Sequence, residues 1–183
     1  MQLSVPRNGP QSLEGVPVYS CAMGTAVVFV AGLFTATYAG IGLQNPAAGG
    51  TYITPVKLVP LKATWVNAGV GTANNFIGLA KIYGTNSAYG LSGAPGPVFA
   101  AGVSGTTTAQ KATVFGTFTM SNGTCTSAVI QWLAGGGATA GAPNAAQSSL
   151  DGEITVMPGE TLVFVSGIAG TGVASITWAE VPL

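Results

Sequence analysis

An all-β fold is what this sequence predicts, on three observations. Turn-forming residues break the chain at short intervals, since 28 of its 183 residues are Gly and 11 are Pro. No helix-period run of useful length survives between them, and interior Gly or Pro costs a helix roughly 1 or 3 kcal/mol relative to Ala. The runs that remain are rich in Val, Ile, Thr and aromatic residues, which fit a pleated, half-buried surface. Many short runs of this kind with turn signals between them are the pattern of an antiparallel sandwich or barrel.

The chain divides into two parts. Residues 1–24 carry Pro6, Pro10 and Pro17 with little periodicity and read as an extended N-terminal arm, of the kind that lies on a neighbouring subunit. Residues 25–183 read as one β-sandwich domain, long enough to bury a core without disulfide or metal. The first residues lack the basic start and apolar run of a secretory signal.

Nine strands are predicted: 26–38, 54–66, 75–83, 98–103, 112–120, 124–133, 152–156, 161–166 and 174–181. The first includes the apolar stretch Ala26 to Phe34, which has the character of a membrane span. It continues into Thr35, Thr37 and Tyr38 and has no Lys or Arg anchor at either end, so a strand buried on both faces is the better reading. In the fifth and sixth, Asn122-Gly123 separates two β-rich runs and suits a type I′ hairpin turn, whose central residues need positive φ. The same residues with Thr124 form an Asn-x-Thr acceptor triplet, which the turn makes unnecessary. Between the seventh and eighth, Pro158-Gly159 predicts a type II turn, Pro presetting the first central φ and Gly supplying the second. Leu162, Val163, Phe164 and Val165 leave this strand no polar face, so both its faces must be covered; another subunit is the simplest cover for the second. Segments 47–50, 100–108 and 134–146, all of small residues, read as loops.

Charge excludes most functions. Only 5% of residues are charged, against about a quarter in an ordinary soluble domain. Net charge is +0 and mean hydropathy is +0.51, so a lone monomer would tend to associate. Four scattered lysines make no nucleic-acid patch. The charges also segregate: between Glu14 and Asp151 lie Lys57, Lys62, Lys81 and Lys111, and from Asp151 onward lie Asp151, Glu153, Glu160 and Glu180. The basic body and acidic C-terminal segment are expected to meet, within one subunit or between neighbours.

Catalysis finds little support. With no histidine, the usual nucleophile–base pairs and the commonest metal ligand are missing. No Ser-x-x-Lys motif supplies a Ser-Lys pair. Asp151 and Glu153 would share a strand face and could serve a glycosidase or lyase or hold a hard cation, but a polar strand start in a turn accounts for them. Gly135-Gly136-Gly137 has no following Lys and does not form a phosphate loop. Trp65, Trp132 and Trp178 stand on separate strands and read as core rather than as a sugar platform. Cys21 and Cys125 are read as buried thiols, with one disulfide as the alternative. No catalytic residue, cofactor or metal is assigned.

A Thr- and Ala-rich β chain with few charges and a Pro-containing arm, ending in Met157-Pro-Gly-Glu-Thr-Leu-Val-Phe-Val165 and Ser175-Ile-Thr-Trp-Ala-Glu-Val-Pro182, resembles the small β-sandwich structural proteins of tailed-bacteriophage particles. The nearest type is the capsid decoration, or cement, protein. The resemblance implies a jelly-roll fold and homotrimers on the virion's outer capsid surface, bound to the major capsid protein and stabilising the shell by bridging capsomers. The same character belongs to head or tail fibre modules that bind host-surface glycan, which is the alternative. Neither nucleic acid nor membrane is expected as a partner, and no enzymatic activity is expected.

Overall fold

The computed structural model describes residues 16–22, 27–29, 38–46, 55–67, 77–83, 92–95, 98–100, 111–120, 129–134, 145–150, 152–166 and 170–183. These residues are all-β, with no helix among them. The strands are β1 (Val18–Ala22), β2 (Val27–Phe29), β3 (Tyr38–Gln44), β4 (Val56–Asn67), β5 (Ile77–Tyr83), β6 (Ser92–Pro95), β7 (Val98–Ala100), β8 (Thr113–Met120), β9 (Val129–Ala134), β10 (Ala145–Ser149), β11 (Glu160–Ser166) and β12 (Gly170–Pro182). They form two antiparallel sheets, one in the order β10-β4-β12-β1-β7 with β2 also on β12, the other in the order β6-β8-β3-β11-β5-β9.

Pairing across the sequence is nested. The first strand pairs with the last (β1 with β12), β3 with β11, β4 with β10, and β5 with β9. The segment between β5 and β9 adds β7 to the free side of β1, and β8 with β6 to the free side of β3. One excursion therefore extends both sheets, adding β7 beside β1 in one and β8 with β6 beside β3 in the other.

One cluster of buried side chains joins the sheets. Tyr19, Trp65, Ile176 and Trp178 come from the first sheet, and Leu43, Leu79, Val114, Leu162 and Phe164 from the second. In β4 the core face changes partway along, Val56 and Leu58 giving way to Ala63 and Trp65. The cause is a bulge: Trp178 pairs with Pro60 and Thr177 with Lys62, which leaves Leu61 as the extra residue. Proline cannot donate to a ladder and survives within a sheet at such a bulge. A smaller cluster on the other face holds Val18, Val59 and Ala179, with Val16, Leu61 and Val181 against it.

Several expectations need correction. Val18–Ala22, assigned to the arm, is β1, held between β12 and β7 with Tyr19 and Cys21 in the core. Its apolar alternation is brief, and its β status comes from two long-range partners. Residues 1–15 of the expected arm lie outside the described residues. The expected strand 152–156 is instead a turn with one bridge, Val156 to Leu58. Gly152 adopts φ 82° there, and the Glu153 amide donates to the Leu150 carbonyl. Of 26–38, β2 and the first residue of β3 are described; β3 runs on through Gly40 and Gly42, which disguise it as a turn. Strand β10 occupies the end of the expected loop 134–146, its small residues paired along β4; β6 was not anticipated.

Asn122-Gly123 lies outside the described residues, but the strands it was expected to join do not pair. Strand β8 lies between β3 and β6, while β9 lies on β5, so long-range partners replace the local hairpin. Finally, Thr161, Leu162, Val163 and Phe164 are all buried within the single chain. Covering both faces of β11 requires no second subunit.

Candidate functional site

Ionisable side chains are so few that the surroundings of each can be followed. Glu160 opens β11 directly after the Pro158-Gly159 turn. Gly159 has φ 88°, and the Glu160 amide donates to the Met157 carbonyl at 2.9 Å, as a type II turn requires. Glu160 Oε2 accepts the Met157 amide at 2.8 Å and lies 2.6 Å from Lys81 Nζ on β5. The expected meeting of body lysine and C-terminal acid thus occurs here within one chain.

Glu180 does something different. It lies on β12 at 3% exposure, and instead of a lysine ammonium it takes backbone amides from the other sheet. Lys111 N donates to both carboxylate oxygens at 2.9 and 3.0 Å, and Ala112 N donates to Oε1 at 2.9 Å. The Trp178 indole N–H approaches the same oxygen at 3.4 Å. A buried carboxylate needs such donors to offset lost hydration, and two successive amides just before β8 provide them.

Asn45 was missed by sequence reasoning. Its side chain is buried, its Nδ2 donates to the Val56 and Val156 carbonyls at 2.8 and 2.9 Å, its own amide donates to Glu160 O, and its carbonyl accepts from Gly159 N. It joins the end of β3, the start of β4 and the Pro158-Gly159 turn. Asn45-Pro46 after an apolar run was the available signal, and it marks a turn rather than a hub.

The other candidates disperse. Trp65 and Trp178 are core residues, the latter stacked on Tyr19 with ring centroids 5.8 Å apart, so neither offers a face to a sugar. Trp132 lies on β9, opposite Gly78. Glu153 is exposed in the turn after β10, and Asp151 lies outside the described residues, as do Gly135, Gly136, Gly137 and Cys125. Cys21 is a free, fully buried thiol whose burial pushes its pKa from 9.0 up to about 11. Among the described residues no group of three His, Cys, Asp or Glu could hold a metal ion, and no helix is long and apolar enough to cross a membrane.

What remains is a surface. Lys57 and Lys62 of β4 make no ion pair among the described residues, and Lys62 is exposed. They flank the partly buried Leu61 on the side of the first sheet away from the shared core, where Val18, Val59 and Ala179 are already buried within the chain. Gly152 lies against Val59, and the Leu150 amide bonds the Leu61 carbonyl, so the turn bearing Glu153 sits at the margin of that face. No family model, curated protein or solved structure matches the chain.

Proposed function

We propose that this chain is a non-enzymatic structural protein of a tailed-bacteriophage virion, folded as a jelly roll and seated on the outer capsid surface as a homo-oligomeric, most simply trimeric, decoration protein. The observation that carries the reading is the nested pairing. A jelly roll is a long hairpin rolled on itself: eight strands pair first with last and so inward, giving sheet orders 1-8-3-6 and 2-7-4-5. Taking β1, β3, β4, β5, β9, β10, β11 and β12 as those eight gives β1-β12-β4-β10 and β3-β11-β5-β9, the same two orders. Viral capsid and lectin domains are frequent users of this architecture.

Composition favours the particle over the lectin. A chain of which only 5% of residues are charged suits permanent contact with other protein, and the burial of Trp65 and Trp178 removes two of the aromatic rings a glycan-binding fibre module would offer. The arm, shortened to residues 1–15, would extend from β1 to a neighbouring subunit or to the major capsid protein. Bridging many capsomers by weak contacts would stiffen the lattice without any chemical step.

Mixing the purified chain with bare phage heads and sedimenting them tests the reading. Saturable co-sedimentation, with heads made more resistant to heating, is the expected result. Binding to host cells or to their isolated glycans, with none to heads, would overturn the capsid assignment in favour of the fibre module.

A further inference from the structure

We draw no further inference here: the strongest candidate, the apolar surface patch of Pro55, Met157 and Leu183 exposed beside the start of β4, carries nothing because nothing in the structure shows what covers it.

Discussion

The Glu180 carboxylate, buried on the last strand of one sheet, accepts the Ala112 amide at the foot of β8 in the other sheet, at 2.9 Å. The same group accepts the Lys111 amide through both oxygens, so one side chain fastens the start of β8 to β12 in the first sheet. Replacing Glu180 with Ala would leave the Ala112 and Lys111 amides without that acceptor, at about 1–3 kcal/mol for each donor that stays buried. Glu180→Gln keeps one carbonyl oxygen. Urea denaturation should rank stability as wild type above Gln above Ala.

Gly172 on β12 has no room for a side chain. A Cβ there would overlap the distal ring carbons of Trp65 and lie 2.8 Å from the Val66 carbonyl oxygen. Trp65 is 2% exposed and rigidly surrounded, so it cannot swing aside cheaply. Gly172→Ala should cost about 1–3 kcal/mol, the usual penalty of overpacking a core, and Gly172→Val more. Chemical denaturation followed by tryptophan fluorescence measures the loss.

Asn45 can be tested by sign. Its Nδ2 faces the Val56 and Val156 carbonyl oxygens, so Asn45→Asp would set a carboxylate oxygen against two acceptors. A buried charge without partners is strongly destabilising, at about 3–5 kcal/mol. Protonating the new carboxyl removes the charge and supplies one donor. The deficit relative to wild type should therefore shrink as pH falls through the carboxylate range, as measured by thermal melts between pH 7 and pH 4.

The Cys21 thiol should resist alkylation in the folded chain at pH 8 and react after denaturation, as read by peptide mapping. Its pKa rises from 9.0 to about 11 on burial, so the unfolded chain ionises first as pH increases. Its contribution to stability is thus complete below pH 9 and is lost between pH 9 and about 11. Comparison with Cys21→Ala isolates that slope, and the two curves should converge as pH rises through this window.

Parts of this fold were legible because their causes are local. Pro158-Gly159 encodes its own dihedral angles, and the turn formed with Gly159 at φ 88°. Apolar runs such as Val56 to Val66 and Ala174 to Val181 became strands because their residue types suit a pleated, buried surface, and Trp65, Trp178 and Cys21 went inside because burial is their most favourable state. Sequence alone thus determined an all-β chain, its Pro-Gly turn and much of its core. Tertiary structure decided the rest: that β1 inserts between β12 and β7, that β8 and β9 take separate partners, that Asn45 binds three segments, and that Glu180 meets amides rather than a lysine. Each of these is a contact between residues far apart in the chain. The free energy of such a contact depends on which backbone groups and side chains the other strands bring to it, and no local pattern carries that information.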